Sequence, residues 1–216
     1  MIKAVIFDMD GVVADTRTLD YAADYVVLKS IGVVKTFEHY LKYTGIPARQ
    51  IYTKVAAEEG KKVDVDKMLG KREIEIEKNA TKKILKPSPG FDELAKELHK
   101  KGYKVALATS SLSSKVEKVL EVLGVRNCFD LIITGSDVSN NKPAPDVYIE
   151  AVGRLGLSEE ECIAVEDSPT GIASAKSAGL KCIALITPYI DEQDLNSADI
   201  KVKSLNEINA SMIDNI

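Results

Sequence analysis

Two aspartates separated by one residue follow the first apolar segment of the chain. Asp8 and Asp10 come after the apolar residues 4–7, and Gly11 follows them directly. Close carboxylates repel, and each raises the pKa of the other unless a cation lies between them. Mg²⁺ suits such a pair because it binds carboxylate oxygens together with water and phosphate. With a cation bound, Asp8 could act as a nucleophile and Asp10 as a general acid and base, whereas the alternative is a turn that the two aspartates only cap.

Three hydroxyl side chains follow a second apolar segment. Thr109, Ser110 and Ser111 come directly after residues 104–108. A hydroxyl at the end of a parallel strand can bind a phosphate oxygen, and the first backbone N–H groups of the next helix add further donors. The same residue types are also preferred helix N-caps, so this segment taken alone fits either role.

A lysine and a second acidic pair come later in the chain. Lys142 begins a proline-containing loop, and Glu166 and Asp167 follow the apolar residues 162–165. A fixed ammonium at Lys142 would neutralise charge on a bound phosphate and on Asp8, whereas the alternative is a solvated loop lysine. Glu166 and Asp167 could complete the Mg²⁺ shell that Asp8 begins, or they could belong to a helix cap with a proline in its first turn.

These side chains need a scaffold that brings the ends of several strands together. Short β-forming runs at 4–7, 104–108, 131–134, 162–165 and 181–186 are separated, after the first, by segments whose apolar residues recur at helical spacing. Such alternation predicts an α/β fold, namely a Rossmann-like parallel sheet flanked by helices on both faces. Ligands bind at the carboxyl ends of the strands in such sheets, which is where the acidic, hydroxyl and lysine residues fall.

One long stretch near the N terminus interrupts the alternation. Residues 16–86 contain no convincing strand, and their apolar residues follow helical spacing. We therefore expect a helical cap domain at 16–86, inserted into a core domain formed by residues 1–15 and 87–216. The Glu- and Lys-rich residues 71–83 predict a solvated helix face in this cap.

The composition of the chain limits its possible binding partners and the cellular compartment in which it works. The 216 residues carry a formal net charge of -4, which argues against a basic nucleic-acid footprint. No apolar run approaches the roughly 18 residues of a membrane span. The three cysteines have no metal-binding spacing, and Cys162 and Cys182 lie in apolar runs that predict core positions. We expect a cytoplasmic monomer or small homo-oligomer that binds neither nucleic acid nor membrane.

Taken together, the motifs resemble those of the haloacid dehalogenase-like superfamily, in particular its phosphatase and β-phosphoglucomutase-like branch. The segments that carry the resemblance are DMDG at 8–11, ATSS at 108–111, KPAPDVY at 142–148 and VEDSPTGIASAKSAG at 165–179. The resemblance spans about residues 1–190, including a helical cap inserted where that branch has one.

The resemblance implies roles for individual residues. Asp8 would attack phosphorus and form an aspartyl-phosphate, while Asp10 would protonate the leaving oxygen and then take a proton from water. Mg²⁺ would be held by the Asp8 side chain, the Asp10 backbone carbonyl and Asp167, with Glu166 as a direct or water-mediated partner. The phosphate-binding residues would be Thr109, Ser110 through its backbone N–H, and Lys142. An acid at position 10 also favours phosphate chemistry over carbon–halogen cleavage, which has no leaving oxygen to protonate.

The implied activity is that of a Mg²⁺-dependent phosphatase acting on a small phosphorylated metabolite, such as a sugar phosphate or phosphoglycolate. A phosphomutase like β-phosphoglucomutase is the first alternative, but such relatives have a histidine in the first cap helix where this chain has Asp20. A phosphonate hydrolase would need a cap lysine that forms a Schiff base, and none stands out. A non-enzymatic phosphate-binding or regulatory protein is the alternative from another class.

The identity of the substrate depends on the cap, where the sequence offers fewer candidates. Arg49, in the segment GIPAR at 45–49, resembles a residue of a substrate-facing cap loop. It could contact an anionic or hydroxylated substrate, or it could be an exposed arginine at a helix start. Arg17 and Lys42 are weaker candidates.

Overall fold

The computed structural model describes all 216 residues and contains one sheet of six parallel strands in the order β3-β2-β1-β4-β5-β6. The strands are β1 (Ala4–Phe7), β2 (Lys104–Ala108), β3 (Leu131–Ile133), β4 (Cys162–Glu166), β5 (Lys181–Leu185) and β6 (Ile200–Val202). All four residues of β1 are buried, which fits its place in the middle of the sheet. In register, Phe7 lies opposite Leu107 of β2 and Val165 of β4.

Nine α-helices accompany the sheet. They are α1 (Arg17–Lys29), α2 (Phe37–Tyr40), α3 (Ala48–Glu58), α4 (Val65–Asn79), α5 (Phe91–Lys100), α6 (Ser113–Leu123), α7 (Asp146–Leu155), α8 (Pro169–Ser177) and α9 (Ala210–Asp214). Alternate residues of β1 belong to two different hydrophobic clusters: Val5 and Phe7 pack in one, and Ala4 and Ile6 in the other. The sheet is therefore covered by apolar side chains on both faces, as expected for a doubly wound α/β fold.

The helices α1 to α4 have a hydrophobic cluster of their own, which includes Val27, Tyr52 and Met68, and α1 and α4 also pack against the sheet through Leu19 and Ile76. Residues 16–86 contain no strand, so the predicted class of an α/β core with an inserted helical cap is confirmed. Two segments of the chain connect the cap helices to the core, and they lie side by side. The Ser88 N–H donates to the Val13 carbonyl at 2.9 Å, beside a bridge between Ala14 and Pro87. The proposed domain boundaries at 15/16 and 86/87 lie at this meeting point.

Three features differ from the sequence expectations. The strand β6 was not predicted, because Lys201 interrupts its apolar pattern. Helical spacing predicts Ile149, Val152 and Leu155 on one buried face, but in α7 the buried face contains Val147, Tyr148 and Val152, and Ile149 is exposed. The expectation of a solvated helix face at 71–83 is wrong for Arg72, whose side chain is largely buried between two carboxylates of α1. No helix has the combination of length and apolar character that crossing a membrane requires.

Candidate active site

Neighbouring parallel strands bring the candidate residues to one edge of the sheet. Asp8 follows β1, Thr109 follows β2, and Asp167 follows β4, and these three strands are adjacent. The backbone N–H of Asp8 still donates to the Val165 carbonyl at 2.9 Å, so the sheet itself fixes this aspartate. The sequence prediction that these side chains converge is therefore reproduced in space.

Three buried carboxylates form a cluster at this edge. Asp8, Glu166 and Asp167 each offer one oxygen, and these oxygens lie within 4.8 Å of one another. Burial, reinforced by the neighbouring acids, raises the pKa of Asp8 well above its ordinary value even though Lys142 acts in the opposite direction. Burial likewise raises the pKa of Asp167 to about 7, against the lowering effect of Arg17. Like charges at this spacing fit a hard divalent cation with oxygen ligands, which would remove the repulsion.

Lys142 is part of this cluster and is not a solvated loop lysine. Its Nζ donates to Asp8 Oδ1 at 2.7 Å, to Glu166 Oε1 at 2.6 Å and to the Ala108 carbonyl at 2.8 Å. Burial would lower the pKa of Lys142, but the charges of Asp8 and Glu166 outweigh it and raise the pKa above the ordinary value. The ammonium is therefore a fixed positive charge beside Asp8.

Asp10 is not part of this cluster and has its own set of partners. Its carboxylate accepts hydrogen bonds from Thr16, from Ser111 Oγ at 2.7 Å and from Lys115 Nζ at 2.7 Å. Burial would raise the pKa of Asp10, but Lys115 and the two hydroxyls together hold it well below its usual range. The two aspartates of the DMDG segment thus occupy different environments, which is a way to give them different tasks.

Gly11 allows this arrangement because nothing larger fits there. Its φ is +91°, and the Cβ of any other residue at this position would collide with Asp167 Oδ2. The backbone after Asp10 therefore passes directly against the carboxylate cluster, where only glycine avoids a collision.

The hydroxyl segment lines the same cavity. The Thr109 side chain is buried and its Oγ1 accepts from the Ser111 N–H at 3.1 Å, while Ser110 Oγ accepts from the Lys142 N–H at 3.2 Å. The N-cap of α6 is Leu112, and Ser168 caps α8 by accepting from the Gly171 N–H at 3.0 Å. Neither Thr109 nor Asp167 is a helix cap, so those structural alternatives do not account for their positions.

Lys115 connects this edge to the cap and was missed by sequence reasoning. It is only 4% exposed, and its Nζ reaches Asp20 of α1 at 2.9 Å as well as Asp10. The sequence contained one indication of this position. Lys115 comes three residues after Leu112 and one before Val116, and this spacing puts it beside the apolar face of α6.

Arg72 of α4 is the second cation that the sequence did not single out. It pairs with Asp20 and, through Nε, with Asp24 Oδ1 at 3.0 Å. Asp24 is completely buried and also accepts from the hydroxyls of Tyr40 and Tyr52. A polar network therefore runs from Asp10 through the α1 carboxylates into the interior of the cap.

Residues of the cap and of the sheet edge line a cavity of about 460 Å³ that is open to solvent. Asp8, Asp10, Thr109, Ser110, Lys142 and Asp167 all line it. Of the weaker candidates, Arg17 donates to Asp167 Oδ2 at 2.5 Å, whereas Lys42 is exposed and does not line the cavity. Arg49 lines the cavity but pairs with Asp66 at 2.5 Å on the outer surface. The arrangement can hold a phosphate next to a buried carboxylate and enclose the group attached to it.

Comparisons with known proteins agree with this chemistry. The family model for haloacid dehalogenase-like hydrolases matches residues 5–185. A phosphorylated carbohydrates phosphatase of Thermotoga maritima is 34% identical over 182 residues, which is 84% of each chain. The structure of CbbY from Rhodobacter sphaeroides in complex with phosphate superposes with a TM-score of 0.88 at 26% identity, covering 99% of this chain and 100% of the other. A putative β-phosphoglucomutase from Thermotoga maritima gives a TM-score of 0.75 at 30% identity, covering 94% of each.

Proposed function

The chain belongs to the haloacid dehalogenase-like hydrolase family and is a phosphoric monoester hydrolase, and we propose that it is a Mg²⁺-dependent phosphatase acting through an aspartyl-phosphate on Asp8. Its substrate is a small phosphorylated metabolite such as a sugar phosphate. The observation that carries the proposal is the buried Asp8 carboxylate held 2.7 Å from the Lys142 ammonium, in the lining of the cavity between cap and core. Phosphoryl transfer needs this combination of positioning and charge neutralisation more than elaborate covalent chemistry.

The proposed reaction has two steps at the same phosphorus. An oxygen of Asp8 attacks phosphorus in line while the bond to the ester oxygen breaks, and Asp10 protonates that leaving oxygen. Asp10 then takes a proton from water, which attacks the aspartyl-phosphate and releases inorganic phosphate and free Asp8. Thr109 and Ser110 hold the transferring phosphoryl group, and Lys142 offsets its charge. Asp10 has hydrogen-bond partners distinct from those of Asp8. Because Lys115 and two hydroxyls favour its ionised form, Asp10 must take up a proton before it can act as the acid of the first step.

The carboxylate cluster fits a resident Mg²⁺. Asp8 and Asp167 would bind it through their side chains and Asp10 through its backbone carbonyl, with Glu166 within reach directly or through water. When bound, the ion supplies positive charge to the phosphoryl oxygens. Glu166 accepts from Lys142 and from the Tyr148 hydroxyl at 2.8 Å, so its orientation is fixed by this chain's own side chains.

Adding Mg²⁺ is expected to raise the unfolding temperature of the protein. A ligand at about 100 times its Kd stabilises the folded state by about 2.7 kcal/mol, which corresponds to roughly 5–10 °C for a chain of this size. Differential scanning fluorimetry at constant ionic strength measures the shift. In Asp167→Asn the shift should shrink strongly, because one ligand oxygen of the cluster is replaced by an amide. An equal shift in both proteins would place the cation elsewhere.

A mutase activity is the second candidate, favoured by the likeness to the putative β-phosphoglucomutase. Asp20, where a mutase-like relative would have a histidine, argues against it. In this chain Asp20 is neutralised by Lys115 and Arg72 and is part of the polar network of the cap. We therefore give precedence to transfer of the phosphoryl group to water.

A panel of phosphomonoesters with Mg²⁺ tests the proposed function. Release of inorganic phosphate from sugar phosphates and from p-nitrophenyl phosphate is the expected result. β-Glucose 1-phosphate, offered with and without a bisphosphate primer, separates the two candidates, since a mutase would convert it to an isomer faster than it hydrolyses it. Absence of phosphate release from every ester would refute the phosphatase proposal.

A further inference from the structure

The cap wall of the cavity faces the leaving group of the substrate, which is the part to which the phosphate is attached. With the phosphoryl group at Asp8, the remaining space is bounded by Leu41, by residues 43–49 and by Arg72 and Glu73 of α4. A volume of about 460 Å³ exceeds what one phosphate occupies and is in the range of small-molecule sites. The charges on this wall therefore decide which leaving groups fit.

Every cationic side chain that lines the cavity already has a carboxylate partner. The pairs are Arg17 with Asp167, Arg49 with Asp66, Arg72 with Asp20 and Asp24, Lys115 with Asp10 and Asp20, and Lys142 with Asp8 and Glu166. The same lining contains six carboxylates against these five cations. On the α4 side of the cap wall, Asp20 and Asp24 are paired with Arg72, whereas Glu73 has no cation within hydrogen-bond distance, so Glu73 presents an uncompensated carboxylate there.

A second anionic group on the substrate would meet an unfavourable environment here. A carboxylate or a second phosphate next to α4 would have to displace Asp20 or Asp24 from Arg72, or approach Glu73 directly. Charges of like sign brought together in a partly desolvated cavity repel, which weakens binding. The exception is Arg49, whose side chain is 58% exposed and whose partner Asp66 is 81% exposed, so that surface pair is easily given up.

Glu73 is the wall residue with accepting capacity to spare. Its Oε2 accepts from Ser114 Oγ of the core at 2.6 Å, which fixes the side chain across the gap between cap and core. Its Oε1 has Arg72 Nη1 at 3.9 Å, beyond hydrogen-bond distance. A carboxylate oxygen only accepts, and a substrate hydroxyl is the neutral donor that it can bind.

We propose that the cavity selects phosphomonoesters whose leaving group is uncharged and carries hydroxyl groups, with Glu73 as a specificity-determining acceptor for one of those hydroxyls. Substrates that place a carboxylate or a second phosphate against Glu73 are disfavoured by the same wall. This inference rests on the proposed phosphatase function and narrows it to monophosphates of sugars and polyols, away from phosphoglycolate.

A matched substrate pair tests the selection. Glycerol phosphate and phosphoglycerate have three carbons each and differ in one end, which is a hydroxymethyl group in the first and a carboxylate in the second. We expect kcat/KM to be at least about tenfold higher for glycerol phosphate, because the carboxylate faces the like charge of Glu73. In Glu73→Gln this ratio should fall about tenfold, since the amide keeps an accepting oxygen and loses the charge.

The matched control is Glu77→Gln, which makes the same charge change on an exposed position of α4 and should leave the ratio unaltered. A ratio of one or less in the wild type would overturn the inference while phosphate release upholds the phosphatase function. A second outcome would also overturn the inference. If the wild type prefers a sugar bisphosphate and Arg49→Met loses this preference, a second anion binds at Arg49. If no ester is hydrolysed, p-nitrophenyl phosphate included, the phosphatase function itself fails.

Discussion

Replacing Asp8 by asparagine is expected to abolish phosphoenzyme formation and to reduce turnover by a factor on the order of 10⁴ or more. The amide oxygen of asparagine is a poor nucleophile and cannot carry the phosphoryl group, while the side chain keeps the size and shape of aspartate. The Lys142 ammonium would still donate to the remaining oxygen, so the cavity should stay intact. The loss would therefore report chemistry and not misfolding.

Steady-state phosphate release and thermal unfolding together measure this prediction. Because burial raises the pKa of Asp8, the neutral side chain should unfold at the same temperature as the wild type or higher in the absence of metal. Asp194→Asn, at an exposed position of the core, is the control and should keep full activity. Substantial turnover in Asp8→Asn would mean that another group receives the phosphoryl.

Asp10→Asn is expected to lower kcat for sugar phosphates by about 10²–10⁴, the usual contribution of general acid–base catalysis. Its affinity for Mg²⁺ should change little, because the Asp10 carboxylate binds Lys115, Ser111 and Thr16 and is not part of the carboxylate cluster. The asparagine retains the backbone carbonyl at this position, so that contribution to metal binding persists.

The leaving group separates acid catalysis from a structural effect. Nitrophenolate leaves without protonation, so Asp10→Asn should slow aspartyl-phosphate formation from p-nitrophenyl phosphate much less than from a sugar phosphate. Isothermal titration with Mg²⁺ gives the affinity independently of turnover. An equal slowing of this first step for both esters, or a large loss of Mg²⁺ affinity, would contradict the assigned role of Asp10.

Much of the scaffold was predictable because its signals are local. The bounds of β1 and β2 were predicted correctly, since each is a short apolar run that ends at polar residues. The convergence of Asp8, Thr109 and Asp167 followed from a general property of parallel sheets, whose strand ends meet at one edge. These inferences needed no knowledge of which strands are neighbours.

The cap network was not predictable because its meaning depends on partners distant in sequence. Lys115 and Arg72 look like ordinary charged helix residues until α1 lies between them and supplies Asp20 and Asp24. Most charged side chains at 71–83 are exposed to solvent, but helical spacing alone does not reveal that Arg72 faces inward. Long-range pairing of this kind is a tertiary property.

The divided roles of Asp8 and Asp10 also explain how two like charges coexist at one strand end. Lys142 compensates Asp8, and Lys115 compensates Asp10, so each carboxylate has its own buried ammonium at 2.7 Å. The repulsion between the two neighbouring carboxylates is thus offset in the folded chain by two lysines from different segments.

Direct detection of the phosphoenzyme is the most direct test of the account. Asp10→Asn mixed with p-nitrophenyl phosphate and Mg²⁺ should form the aspartyl-phosphate readily, because that leaving group needs no acid, and should hydrolyse it slowly, because water activation is impaired. Acid quenching followed by mass spectrometry of the intact protein and of its peptides locates the added group. The account predicts one phosphoryl group per chain on Asp8, whereas release of nitrophenol with no phosphorylated protein, or with the phosphoryl on another residue, would contradict it.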